Sequence, residues 1–199
     1  MAEGGWESGC NADDGPRADP GQRTCRKARG AELRSPWGRR TGMSSWAPSS
    51  TAAALCWEGM DAGLLTNIAA ANAARAAGDA AGGDSGRDLE RRHQCSCRLA
   101  VYGTLAPGAA NHAQVAACHG IWQPGEVPGH RGVRRYPVFR FDARAPMVPV
   151  QVLQSDDLPG HWAALDAFEG DEYRRILVPV RMAGSWQVAN LYEAVAAVP

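Results

Sequence analysis

The sequence predicts an α+β fold: a small mixed β-barrel of about six strands with short flanking helices, preceded by a long disordered extension. Three observations carry this. All 13 valines, 4 tyrosines and 3 phenylalanines of the 199-residue chain lie beyond position 97, so these core-building side chains are confined to one half. Beyond that point the β-branched and aromatic runs are short and divided by Gly and Pro, as in a compact sheet that closes on itself. Among those runs stands one helical period, Trp162, Leu165 and Phe168.

The division into domains follows from the first observation. Residues 1–96 lack the apolar area that offsets the entropy of ordering a backbone, and they are expected to be a low-complexity, disordered extension. Residues 97–199 form one domain, large enough for a modest core, since domains of about 60 residues already bury roughly 60% of their unfolded surface.

Residues 1–50 mix Gly, Pro, Ser and Arg, and Trp6, Trp37 and Trp46 stand there without periodicity. Asp61 to Ala81 is helical by alanine content, but Leu64, Leu65 and Ile68 are its only sizeable apolar side chains, so weak packing is expected. Gly82 to Gly86 reads as a flexible linker and Arg87 to Arg92 as a solvated charged run. A single lysine, Lys27, against 20 arginines suggests a GC-rich coding source, and with it the expectation that part of this half is an over-extended reading frame.

Arg98 to Tyr102 has strand composition and stops at Gly103-Thr104-Leu105, with Pro107-Gly108 bending the chain before a helix expected over Ala109 to Cys118. In such a strand, loop and helix order, successive N–H groups and a helix N-terminus make a place for an anion. Gly120 to Val127 is a strand interrupted by Pro124-Gly125, which suits a bulge or edge. Val138 to Phe141 and Val148 to Leu153 are further strands, and Pro149 again points to an edge. Asp156-Asp157-Leu158-Pro159 opens a helix with an acidic cap and an early proline; Trp162, Leu165 and Phe168 mark its buried side, and Gly170 ends it. Ile176 to Val180 and Trp186 to Tyr192, joined at Ala183-Gly184-Ser185, make a terminal hairpin.

Charge and cysteine usage exclude several functions. The 21 basic and 21 acidic residues divide evenly, 12 of each before position 98 and 9 of each after it, so neither half attracts nucleic acid or anionic lipid. The six cysteines form no disulfide framework, and Cys95-Ser96-Cys97 has no second pair at zinc spacing, so no metal site is expected. Polar residues interrupt the weakly apolar stretch from Asp61 to Ala81, which excludes a membrane span there. An opening of Glu3 and Gly4-Gly5 is no secretory signal, and a cytoplasmic location is the default.

Two segments carry a resemblance. Val101-Tyr102-Gly103-Thr104-Leu105 with Gly108 and Asn111, followed by Leu165-Asp166-Ala167-Phe168-Glu169-Gly170-Asp171-Glu172-Tyr173-Arg174-Arg175, is similar to the γ-glutamyl cyclotransferase-like family, over about residues 98–192 and with Tyr136-Pro137 between. The resemblance implies a small barrel, no cofactor, a small-molecule γ-glutamyl substrate and release of 5-oxoproline. It makes Glu169 the general acid/base and Tyr102, Gly103, Thr104 and Leu105 the holder of the glutamyl α-carboxylate. Tyr173 matches a tyrosine against the substrate, and Arg175 an arginine that follows it. Thr104 stands where serine is common, which keeps the hydroxyl and adds a methyl.

The chemistry agrees on physical grounds. Once deprotonated, the α-amine of a γ-glutamyl amide lies a five-membered ring away from its own carbonyl, so only a base and a holder are needed. Held intramolecular reactions reach effective molarities of about 10⁵–10⁸ M. A carboxylate at the mouth of an apolar barrel binds a proton more tightly than one in water. Two rivals stay open: a non-catalytic module binding a small carboxylate or a peptide terminus, and an amide hydrolase or transferase in which Glu169 activates water. Neither the leaving amine nor the oligomeric state is legible. Asp166 reads as part of a solvated face, one of Arg174 and Arg175 must face outward, and His112, His119, His130 and His161 read as surface or turn residues.

Overall fold

Alternation along the strands sorts the apolar side chains into three layers. The computed structural model describes residues 60–195; Trp6, Trp37, Trp46 and most of the expected extension lie outside the described residues. In chain order the elements are α1 (Ala62–Ala76), α2 (Gly83–His93), β1 (Arg98–Val101), β2 (Ile121–Val133), β3 (Pro137–Phe141), β4 (Met147–Gln154), α3 (Leu158–Glu169), β5 (Tyr173–Met182) and β6 (Ser185–Ala194). The strands pair in the order β3-β2-β4-β1-β6-β5. A pairing of Glu126 on β2 with Arg181 on β5 closes five of them into a barrel and leaves β3 as an added strand on the far end of β2. Strand β1 runs parallel to β6 and the other pairings are antiparallel, so the barrel is mixed, as expected.

Ile176, Val178, Val180 and Met182 of β5 fill the barrel with Ala100, Val127, Phe139, Val150, Val152 and Leu191. Leu177, of the opposite parity, turns outward against Ile68, Leu89 and Val188. On the other side Leu99 and Val101 of β1 meet Leu158, Trp162 and Leu165 of α3. That helix begins with proline in its first turn and ends at Gly170 (φ 62°), as its sequence requires. Asp157 holds the cap position without a capping bond; its carboxylate accepts the His119 N–H at 2.9 Å instead. The β5–β6 hairpin turns on Ala183 (φ 46°) and Gly184 (φ 80°), the two positive values that a tight two-residue loop needs. Pro149 pairs with Glu126 of β2 beyond the reach of β1, which covers β4 from Gln151 to Gln154, so one side of β4 is open there, as the proline demands.

Two expectations are corrected. The extension over 1–96 is not without structure: α1 and α2 occupy 62–76 and 83–93 and pack on the outside of β5 and β6. Composition misled because it weighs one side of an interface. Ala71 is fully buried, Ile68 and Leu89 are 1% exposed, and the other side of their cluster is supplied by Leu177 and Val188 of the barrel. The supposed linker is the entry to α2, where a side chain on Gly86 would collide with the Ala81 carbonyl, so that glycine is required by packing. Asn72 adds a polar tie. Its amide donates to the Leu177 carbonyl and accepts the Leu177 N–H, both at 2.8 Å, and so occupies backbone groups of β5 that no strand pairs.

The second correction is the helix expected over Ala109 to Cys118. Only a three-residue 3₁₀ turn, His112–Gln114, forms there. Asn111 N–H is drawn back to the Thr104 carbonyl (2.9 Å), and the His112 ring to the Leu105 carbonyl (3.1 Å), so the segment folds against the preceding loop. Among the described residues no helix is long and apolar enough to cross a membrane.

Candidate functional site

The loop after β1 and the end of α3 approach each other over the start of β5. Gly103 closes a turn in which Ala106 N–H bonds its carbonyl at 3.2 Å. Among the described residues the N–H groups of Gly103, Thr104 and Leu105 donate no backbone hydrogen bond, which leaves three successive donors for a guest. Thr104 is braced twice by Asn111, whose side-chain amide donates to its hydroxyl at 3.0 Å and whose N–H bonds its carbonyl. The Leu105 side chain is buried against Leu99, Val101 and Val115, so this residue can offer a ligand only its backbone. The short turn after the loop provides no α-helix N-terminus to add charge to the spot.

Pro137 joins this loop to β5. A Cβ on Gly103 would lie 3.3 Å from the Pro137 Cβ, and the Tyr173 hydroxyl donates to the Pro137 carbonyl at 3.0 Å. The Tyr102 hydroxyl donates to the Tyr192 carbonyl at 2.8 Å, with its ring centroid 5.2 Å from that of Phe139. Glu169, half-buried, is the last residue of α3, and Gly170 turns the chain at once into β5. Burial, then the neighbouring Tyr173, then the Glu169 charge push the Tyr102 phenol well up; burial, then Glu169 do the same for Tyr173. Tyr192 is pushed up by burial and by its bond to Asp166, with Glu169 adding to it. The three phenols stay protonated at neutral pH, and Glu169 lies within electrostatic reach of each. Tyr102, Tyr173 and Glu169 are thus brought together.

The surroundings add bonds that the sequence does not show. Asp166 lies on an exposed face, as expected, and is also paired there: Arg175 grips both of its oxygens (2.9 and 3.0 Å), and the Tyr192 hydroxyl donates to it at 2.7 Å. Arg175 also lies 4.5 Å over the Trp162 ring. Arg174, on the opposite face of β5, is held by the buried carboxylate of Glu193 at 2.7 Å. Sequence reasoning missed Pro137 as the connector and Asn111 as the brace, although both fall in or between the two motifs. Tyr192 carried no local signal. The imidazoles of His112 and His161 face backbone carbonyls, and those of His119 and His130 face Asp157 and Asp142.

Comparison with known proteins adds the family. Residues 99–197 match the family described as gamma-glutamyl cyclotransferase, AIG2-like. No curated protein sequence matches the chain. Among solved structures, an uncharacterized protein from Pyrococcus horikoshii is 20% identical, over 51% of this chain and 80% of that one, at a TM-score of 0.42. YkqA from Bacillus subtilis is 24% identical over 50% of this chain and 36% of its own, at 0.44. An AIG2-like protein from Mus musculus is 20% identical over 52% and 80%, at 0.43. With the two motifs in order, on the mixed barrel that carries them, the chain from Leu99 to Ala197 belongs to the gamma-glutamyl cyclotransferase, AIG2-like family.

Proposed function

We propose that the domain releases 5-oxoproline from a γ-glutamyl amine or dipeptide, with Glu169 as general acid/base and the N–H groups of Gly103, Thr104 and Leu105 holding the glutamyl α-carboxylate. The observation that carries the reading is the convergence of Glu169 and this loop on Tyr173 and Pro137. With the α-carboxylate on the loop, Glu169 takes a proton from the α-ammonium. The freed amine attacks the γ-carbonyl carbon and the new C–N bond closes a five-membered ring. The bond to the leaving amine breaks as Glu169 returns the proton to it; the carboxylate so regenerated takes the second proton from the ring nitrogen and passes it to the departing amine, which leaves as an ammonium. Tyr102 and Tyr173 act as neutral walls, since their hydroxyls are committed to the Tyr192 and Pro137 carbonyls. They shape the pocket and keep competing charge out of it.

The test is 5-oxoproline release from a panel of γ-glutamyl compounds. Glu169→Gln keeps the shape and is expected to lower turnover by about the 10²–10⁴-fold typical of a lost general base, with the thermal midpoint unchanged. Glu172→Gln, in an exposed residue three positions on, is the matched control and should retain the wild-type rate. Full activity of Glu169→Gln would overturn the assignment. Free glutamate as the product would favour a hydrolase, and ligand binding without turnover a binding module.

A further inference from the structure

The side of the β2–β3 ribbon that faces the site carries a charge that the reaction above does not use. Register places Gly129, Arg131 and Val133 of β2 directly opposite Phe141, Phe139 and Pro137 of β3, and directly opposed residues project to one face. Three contacts fix where that face points. A Cβ on Gly129 would collide with the Phe139 ring, that ring lies 5.2 Å from the Tyr102 ring between centroids, and Pro137 stands against Gly103 and accepts the Tyr173 hydroxyl. Phe139 is fully buried in the barrel, whereas Arg131 beside it is exposed and Val133 is 72% exposed. The ribbon thus runs on past the barrel and borders the mouth where Tyr102, Tyr173 and Glu169 meet. Among the described residues no hydrogen bond or ion pair holds the Arg131 guanidinium, unlike Arg140 and Arg174, which share Glu193, and Arg175, which is paired with Asp166. Its planar fork of donors is open to a carboxylate.

We propose that Arg131 is a specificity residue of the site, whose guanidinium receives a carboxylate carried by the leaving amine of the substrate. The proposal rests on the cyclotransferase reading for the identity of that substrate. In that reading the loop N–H groups take the glutamyl α-carboxylate, so the anion left for Arg131 is one on the departing side. Burial, Tyr173 and Glu169 raise the Tyr102 phenol, and the Arg131 charge works against them, so Arg131 and Glu169 both lie within electrostatic reach of one hydroxyl. The carboxylate of a departing amino acid is two bonds from the nitrogen that Glu169 protonates. Its receiver must therefore border the same space as Glu169, as Arg131 does beside Tyr102. The site selects γ-glutamyl amino acids over γ-glutamyl alkylamines, and one flexible side chain on an exposed ribbon sets that choice.

The experiment compares γ-glutamylalanine with γ-glutamylethylamide, which lacks the carboxylate, by calorimetry on the full chain in a Glu169→Gln background that prevents their consumption. γ-Glutamylalanine is expected to bind about 5- to 30-fold more tightly, between the effect of an exposed ion pair and that of a buried charge-assisted bond. Arg131→Gln should bring the two dissociation constants together by weakening γ-glutamylalanine alone, and Arg131→Glu should reverse their order. Arg131 is exposed, so both variants should keep the parent's thermal midpoint. Arg135→Gln is the control: this exposed arginine lies over the Tyr136 ring in the loop of the same ribbon, and removing its equal charge should leave the preference intact. Equal affinities in the parent protein, no binding of either compound, or a preference that survives Arg131→Gln or falls equally with Arg135→Gln would overturn the assignment. A loss common to both compounds in Arg131→Gln overturns it too, since it would put Arg131 on the α-carboxylate that they share. Release of 5-oxoproline by the wild type is measured in parallel. An Arg131-dependent preference in a protein that makes no 5-oxoproline leaves the carboxylate receiver standing and sinks the cyclotransferase reading; turnover with equal affinities does the reverse.

Discussion

At Gly103 the constraint is space. The residue does not adopt a positive φ, so the backbone would accept a side chain, but Pro137 stands 3.3 Å from where a Cβ would be. Gly103→Val is therefore expected to push the loop away from Pro137 and weaken binding of a γ-glutamyl ligand by at least about tenfold, with a stability loss of about 1–3 kcal/mol from overpacking. Titration calorimetry and thermal unfolding read the two effects, and undiminished binding would remove the loop from the site. The case shows what single residues disclosed beforehand. Gly103, Thr104 and Glu169 were nominated by the two motifs that carry the resemblance, and each has its chemistry in its own type: a bare backbone, a hydroxyl, a carboxylate at a helix end. Pro137 and Tyr192 were not, because their part depends on which strands become neighbours, and β3 and β6 reach the site only through the barrel. The pairing of Asp166 was hidden for the same reason. Its helix position is exposed, as read, while the partner that fixes it, Arg175, arrives from the next strand.

Among the elements, the strands and α3 follow from sequence because periodicity and turn residues act locally. The joint between α2 and β1 does not. Glu90 there accepts the Ser96 hydroxyl (2.6 Å) and N–H (2.8 Å) and the Cys95 thiol (3.1 Å). Burial pushes the Glu90 carboxyl up, but these bonds outweigh it and the net shift is downward from 4.5. A carboxyl with a lower pKa in the folded state than in the unfolded one stabilises the fold fully above about the unfolded value, and that contribution fades as pH falls through the folded value. Unfolding followed from pH 7 to pH 3 should thus show an acid loss of stability, setting in below about pH 4.5, that Glu90→Gln flattens. The variant should be less stable than the parent at pH 7 and closer to it at pH 3; parallel curves would refute the role. Cys95, pushed up to about 12 by burial and by the Glu90 bond, remains a thiol throughout this range.

For the molecule as a whole, the boundary between what folds and what was expected not to has moved. Removing residues 1–59 is expected to leave the thermal midpoint within a degree or two, since that stretch has no valine, phenylalanine or tyrosine to contribute. Removing 1–95 uncovers Leu177 and Val188 and discards the burial of Ile68 and Leu89, worth about 1.5–3 kcal/mol for each side chain. The longer truncation should therefore melt well below the shorter one, and equal midpoints would show that α1 and α2 add nothing. Loss of heat stability is only part of what α1 prevents. Without Asn72, the N–H and C=O of Leu177 are left open on a strand flanked by newly bared apolar side chains, which is a template for another chain to extend the sheet. Asn72→Ala in the full-length protein separates the two roles: the helix still shields the apolar surface, and any concentration-dependent growth in light scattering on mild heating reports the amide's work as a guard against self-association.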